Sequence, residues 1–199
     1  LEISNNILEI GPGKGVLTQL LIKKSPHIKL IEIDIDCVNI IKHEFKDVHI
    51  IHADFLKINL KEIGFKKYNI IGNFPYNISS QILFKVLENR NDIIEVVGMF
   101  QKEVADRICS KPNSKKYGIL SVLIQAYFHC EQLLDVDAKN FKPIPKVQSS
   151  VIKLTRNKTL ELGCKYSDFL KVIKACFSQR RKKIKNALKN FTNFNEVNV

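Results

Sequence analysis

Asn73-Phe74-Pro75-Tyr76 sets an amide, a ring without an N–H and a phenol directly after an apolar run, Tyr68 to Gly72. An exocyclic amine on a purine is a poor nucleophile, because its lone pair is delocalised into the ring. The Asn73 side-chain oxygen and a main-chain carbonyl near Pro75 can together accept both N–H bonds of such an amine. That favours the pyramidal geometry needed for in-line attack on a methyl group. Pro75 stiffens the turn, and Tyr76 can stack on a base taken out of its helix. No strong base is needed at the outset, since the attacking amine is neutral. The same four residues would also make an ordinary β-turn with a core tyrosine, so the reading depends on what surrounds them.

Three other groups supply that context. Glu9-Ile10-Gly11-Pro12-Gly13-Lys14-Gly15 lies between a strand pattern and a helix pattern. Glycines there let the backbone turn sharply and approach a ligand, and the helix start that follows offers free N–H groups. Glu32 stands 21 residues after Gly11, at the end of the second strand pattern, where an acidic side chain grips ribose hydroxyls in nucleoside-binding folds. Asp54-Phe55 ends the third. Its carboxylate suits an exocyclic amine, and its ring suits packing on a purine. A dinucleotide would require G-x-G-x-x-G, whereas Val16 and Leu17 stand where the third glycine could fall. Glu9 would repel pyrophosphate and suits a cation. S-adenosylmethionine, with a sulfonium, an ammonium and no phosphate, is the better match.

These residues need a scaffold, and the first 100 residues describe one. Short apolar runs at 6–10, 29–33, 48–52, 68–72 and 93–100 read as strands. Helical spacing falls between them at 16–24, 37–45 and 79–87, with Ser79 or Ser80 as the cap of the last. Repeated βα units with continuous apolar strands predict an α/β fold with a doubly wound, mostly parallel sheet. Gly11, Glu32, Asp54 and Asn73 then fall along the sheet's carboxyl edge, where such folds bind ligands. Beyond Gln101 the pattern predicts helices over 103–108 and 118–127, a strand over 147–154, and a helix over 166–177 capped by Ser167. A basic helix follows over 180–189. Lys111, Lys115 and Lys116 lie in a polar loop, and Phe141-Lys142-Pro143-Ile144-Pro145 is extended because its prolines forbid helix. A boundary near 156–165 divides a domain over 1–156 from a partial basic domain over 165–199.

The chain has 199 residues, 45% hydrophobic and 26% charged, with a net charge of +12. That charge is uneven. Residues 1–100 carry 12 basic and 12 acidic side chains, while 101–199 carry 20 and 8. A neutral half joined to a half at +12 predicts a surface for a polyanion, most simply RNA. Six cations and no acid lie in 180–189, so Arg180, Arg181, Lys182, Lys183 and Lys185 join Lys111, Lys115 and Lys116 as candidate phosphate contacts. The absence of an 18-residue apolar run argues against a membrane span and a membrane partner. Five scattered cysteines fit a reducing cytoplasm, and five histidines without ligand spacing suggest no metal. Nothing demands more than a monomer. The opening at Leu1 and the stop just after the basic stretch read as a piece of a longer protein.

Together ILEIGPGKGVLT (7–18), IEID (31–34), HADFL (52–56) and NFPYNIS (73–79) resemble class I methyltransferase motifs in their usual order. With FQKEVADRI (100–108), NSKKYGILSVL (113–123), FKPIPKVQSSVIKL (141–154) and FSQRRKKIKNALK (177–189), the chain resembles the ribosomal RNA adenine dimethylases of the KsgA type. The resemblance implies a class I, Rossmann-like fold and the start of a helical C-terminal domain. It implies dimethylation of the N6 amines of two adjacent adenosines near the 3′ end of small-subunit ribosomal RNA, in ribosome maturation, with S-adenosylmethionine as donor. Carried over, it puts Glu9, Gly11, Gly13, Glu32, Asp54, Phe55 and Asn73 at the cofactor and Asn73, Pro75 and Tyr76 at the reacting amine. Phe74 stands where leucine is more usual, and the family's segment before the first strand has no match here. Two alternatives remain at this point: a large-subunit dimethylase of the antibiotic-resistance type, and a non-catalytic RNA-binding module on the same fold.

Overall fold

A computed structural model describes residues 6–142, 144–158 and 162–188. Seven strands form one sheet in the order β3-β2-β1-β4-β5-β7-β6. β1 (Asn6–Ile10), β2 (His27–Glu32), β3 (His49–His52), β4 (Tyr68–Asn73) and β5 (Ile93–Gln101) run parallel. β7 (Ser149–Arg156) inserts antiparallel between β5 and β6 (Phe128–Val136). The order reverses beside β1 and β4, which opens the crevice that ligands use in such sheets. The sheet is continuous and apolar where the sequence is: Leu8, Leu30, Ile70 and Val96 are fully buried.

The connecting helices are α1 (Thr18–Leu21), α2 (Ile35–Glu44), α3 (Ser79–Glu88), α4 (Lys102–Cys109), α5 (Ile119–Gln125), α6 (Tyr166–Ser178) and α7 (Ile184–Ala187). α3 packs through Ile82, Leu83, Val86 and Leu87. Tyr166, Phe169, Leu170 and Ile173 of α6 lie against the same apolar core. Among the described residues no helix is long and apolar enough to cross a membrane.

Several expectations are corrected. The predicted helix over 16–24 is regular only over four residues, because the glycine loop unwinds through turns up to Leu17. Ser79 lies inside α3 rather than capping it, and neither it nor Ser80 stands at the N-cap, which is Ile78. The Ser79 hydroxyl instead donates to Tyr76 O, bracing the turn before it. α6 begins at Tyr166 with Lys165 as N-cap, so Ser167 is interior.

The basic helix over 180–189 is not continuous. α6 ends at Gln179 (φ −128°, ψ 62°), a bend covers the cations, and helix resumes only over Ile184–Ala187. In one continuous helix Arg180 and Lys183 would stand three residues apart and Arg181 and Lys185 four apart, spacings at which like charges repel, while Arg180 is drawn off to main-chain carbonyls. Lys189 and Pro143 lie outside the described residues. One strand was not anticipated at all. β6 (FHCEQLLDV) is an edge strand with most residues exposed, so its pattern carries almost no apolar alternation.

Candidate active site

The carboxyl ends of β1, β2 and β4 bring the first candidates to one edge. Gly11 and Gly13 hold left-handed conformations (φ +66° and +56°), and nothing lies within 4 Å of where their Cβ atoms would be. The loop is therefore a cradle of bare backbone facing open space. Gly11 N donates to Ile31 O at 2.9 Å, and Gly13 N to Glu32 Oε2 at 3.1 Å. Glu32 Oε1 accepts from Ile33 N (2.8 Å) and Asp34 N (3.0 Å). Three of roughly four lone-pair sites on the Glu32 carboxylate are thus filled, leaving one on Oε2 for a ligand hydroxyl.

Glu9 is 1% exposed, and its Oε2 accepts from the Thr18 hydroxyl at 2.7 Å. Burial pushes its carboxyl from an ordinary 4.5 up to about 7, against the opposing pull of the Thr18 bond. A carboxyl whose folded pKa exceeds its unfolded one binds its proton more tightly in the fold. The stability this lends is full below about pH 4.5 and is lost as pH climbs to about 7. The difference amounts to about 3 kcal/mol. Glu9→Gln is therefore expected to raise stability at pH 8 and to flatten its fall between pH 5 and 8, read from urea midpoints. An unchanged pH slope would trace the fall to other groups.

Asp54 caps its own turn, accepting from Leu56 N at 2.9 Å, and its other oxygen lies 3.7 Å from Lys57 Nζ. Phe55 is 4% exposed. Lys85 Nζ sits 5.4 Å from its ring centroid and donates to Ile58 O. The ring is thus built into the core, and what Phe55 offers to the edge is its main chain.

Asn73 ends β4 and is exposed, as is Pro75; Tyr76 is half-buried. Phe74 between them is buried, in edge-to-face contact with Phe100 at 5.1 Å. Its ring lies over Gly72 and Gly98, which pair across β4 and β5. The Tyr76 hydroxyl is hydrogen-bonded to Ser149 Oγ, at the start of β7. These residues line a cavity of about 260 Å³ whose other wall is Phe141, Lys142 and Pro145. Sequence reasoning gave the Phe141 segment no place in the site. Its one available signal was the rigidity of that segment next to the β7 pattern.

Of the basic candidates, the structure brings Lys115, Lys116 and Arg180 together around a second cavity of about 560 Å³, with Arg107 and Lys174. Arg180 Nη2 donates to the carbonyls of Lys115 (3.1 Å) and Tyr117 (2.6 Å). Lys116 Nζ pairs with Asp106 at 2.7 Å. Lys111 lies elsewhere, in a cavity with His129 and Cys130. Arg181, Lys182, Lys183 and Lys185 are exposed and line none of these cavities. Among the described residues no group of three His, Cys, Asp or Glu could hold a metal ion.

Comparison with known proteins shows the family. The family model described as ribosomal RNA adenine dimethylase matches residues 1–198. Ribosomal RNA small subunit methyltransferase A of Bacteroides thetaiotaomicron is 50% identical over 186 residues, covering 92% of this chain and 70% of that protein. Its counterpart in Cytophaga hutchinsonii is 52% identical, covering 92% and 72%. Among solved structures, a dimethyladenosine transferase from Plasmodium falciparum matches with a TM-score of 0.84 at 27% identity, over 98% of this chain and 71% of that one. The 23S rRNA methyltransferase ErmE matches with 0.74 at 26% identity, over 94% and 77%.

Proposed function

We propose, on the premise that the chain belongs to the ribosomal RNA adenine dimethylase family, that it dimethylates the N6 amines of two adjacent adenosines near the 3′ end of small-subunit ribosomal RNA. The observation that carries this reading is the Asn73–Tyr76 turn, which rims a base-sized cavity at the carboxyl end of β4 beside the glycine cradle. Relatives near 50% identity carry the small-subunit name, against 26% for the 23S enzyme, which favours the small subunit over the large.

S-adenosylmethionine fits the edge that the strands build, and when bound it supplies an activated methyl group on a sulfonium. The bare cradle of Gly11 and Gly13 admits it closely, and Glu32 Oε2 has one lone pair left for a ribose hydroxyl. Glu9 is a buried carboxyl with no cation paired to it among the described residues, and a positive ligand nearby would favour its ionised form. Asp54 and the Phe55 main chain stand where a purine edge would end. No metal is required by any of these groups.

The chain's own residues do the rest. The target base enters between Tyr76 and Phe141, and the Tyr76 ring is held at its hydroxyl by Ser149. Asn73 Oδ1 and a main-chain carbonyl of the turn accept the two N–H bonds of the amine, so its lone pair points at the methyl carbon. A bound donor would supply the methyl group with its sulfide as leaving group, and the chain's part is to hold the amine's N–H bonds until its surplus proton passes to water. A second round, with one N–H replaced by methyl, gives the dimethylamine.

Residues 1–156 form the catalytic domain in this reading, and 165–199 belong to a basic domain that holds RNA. The protein works as a monomer in the cytoplasm, where ribosomes are assembled, and has no membrane partner. Lys111, Lys115, Lys116, Arg180, Arg181, Lys182, Lys183 and Lys185 contact phosphates. Neutralising Arg181, Lys182 and Lys183, whose side chains make no hydrogen bond or ion pair among the described residues, is expected to reduce the steepness of log K against log salt by about 2. An unchanged slope would remove the turn from the interface. The function itself is tested by incubating the protein with unmethylated small subunits, large-subunit RNA and methyl-labelled S-adenosylmethionine. Dimethyladenosine from the small subunit alone supports the reading. Label only in large-subunit RNA would move it to the resistance enzymes, and RNA binding without label would make the chain a binding module.

A further inference from the structure

Between the base cavity and the cation-rich cavity lies a third, of about 310 Å³, that no step above uses. Its lining includes Gln101, Lys102, Glu103, Asp106, Lys116 and Gln148. The fold joins it to the target site by single steps. Gln101 pairs across the ladder with Ser149, whose hydroxyl holds Tyr76, and ladder partners stand about 5 Å apart. Gln148 O accepts from Lys102 N at 2.9 Å. On the far side, Glu103 and Lys116 are shared with the cavity around Lys115 and Arg180.

Charge separates the two cavities. The one around Lys115 has five cations against one carboxylate. In the middle cavity two lysines face two carboxylates, with Lys116 and Lys102 both close to Asp106 (2.7 and 3.8 Å). A balanced cavity does not suit a phosphate. It suits an uncharged, hydrogen-bonding group, and two primary amides, Gln101 and Gln148, border it with no side-chain hydrogen bond among the described residues. A glutamine amide offers one donor and one acceptor side by side, the complement of the adenine N7 and N6 pair.

We propose that this middle cavity seats the base of the nucleotide flanking the target, and that the Gln101 and Gln148 amides select adenine there. The inference rests on the methyl-transfer reading above and deepens its specificity. It gives the RNA strand a path: target base at Tyr76, flanking base against the glutamines, backbone onward to the cations at Lys115. Unstacked bases read on their edges are how single-stranded RNA is commonly recognised.

The test uses the full chain and short small-subunit RNA hairpins, with methyl transfer counted only at the target adenosine, located by digesting the product. The flanking nucleotide is adenosine, 7-deazaadenosine, purine riboside or uridine. Flank preference is read twice, as kcat/KM for methyl transfer and as RNA affinity without turnover. Wild type is expected to favour adenosine by about tenfold over each analogue, since one bidentate pair discriminates at that level. Gln101→Ala/Gln148→Ala is expected to abolish the preference while leaving affinity for S-adenosylmethionine unchanged. The single Gln148→Ala, at an exposed site, serves if the pair fails to fold. Equal rates and affinities on all four flanks in wild type, or a preference that survives in the variants, would overturn the inference. Wild type that binds with flank preference yet transfers no methyl would overturn the proposed function and leave this one standing.

Discussion

Asn73→Ala is expected to cut the rate of methyl transfer by about 10²- to 10³-fold, the usual cost of removing one preorganised polar partner of a reacting centre. The loss should appear in kcat, with RNA affinity within about twofold of wild type, because Asn73 acts on the amine mainly as it pyramidalises. The variant should fold. Asn73 is exposed at the end of β4, and among the described residues its side chain makes no hydrogen bond. Single-turnover rates and binding isotherms on the same preparation decide the matter. A parallel loss of RNA affinity would make Asn73 a support for the turn, and an undiminished rate would leave it without a role.

The second large effect concerns a residue that touches no substrate. Gly98→Ala would put a Cβ 2.2 Å from Phe74 Cε2, and the ring has little room to retreat, with Gly72 beneath it and Phe100 against its edge. Overpacking of this kind costs about 1–3 kcal/mol and sometimes more, or a fall of several degrees in Tm for a chain this size. Activity should fall further than stability, because Phe74 lies between Asn73 and Pro75 and carries both with it. Leucine, shorter and without a flat ring, clears the added methyl. Gly98→Ala/Phe74→Leu is therefore expected to recover most of the loss, with a coupling of about 1 kcal/mol or more in a double-mutant cycle. Strictly additive losses would show that the contact does not set the turn.

That pairing marks the limit of what the sequence discloses. β1 to β5 were legible because buried parallel strands are apolar throughout, and the glycine loop, Glu32, Asp54 and the Asn73 turn follow them directly. Gly72 and Gly98 look unremarkable in sequence, since the reasons lie across the sheet: the Ile10 carbonyl of β1 presses on Gly72, and the Phe74 ring after β4 lies over Gly98. Phe141 could not be assigned for the same reason: it reaches the Tyr76 cavity only because β7 lies beside β5. β6 was missed because an exposed edge strand carries little alternation. The basic stretch was read by composition as one helix. Repulsion between cations three and four residues apart and the Arg180 bonds to Lys115 and Tyr117, 65 and 63 residues away, bend it instead. The Phe55 ring reads as a ligand platform from its neighbour Asp54, and only the packing around Ile58 and Lys85 turns it inward.

The antiparallel insertion of β7 has a consequence during biosynthesis. Translation delivers β1 to β5 first, and these five strands can pair as soon as they emerge. The outer edge of β5, nine residues long, waits for β7, whose first residue follows Gln101 by 48 positions. At about 5–20 residues per second, that edge stays open for about 2–10 s on each nascent chain. An unpaired strand edge is a template for a neighbouring chain, and polysomes hold such neighbours close. The late hairpin of β6 and β7 therefore closes the seam most open to misassembly, and slow synthesis across residues 102–148 would lengthen the interval in which chaperones must guard it.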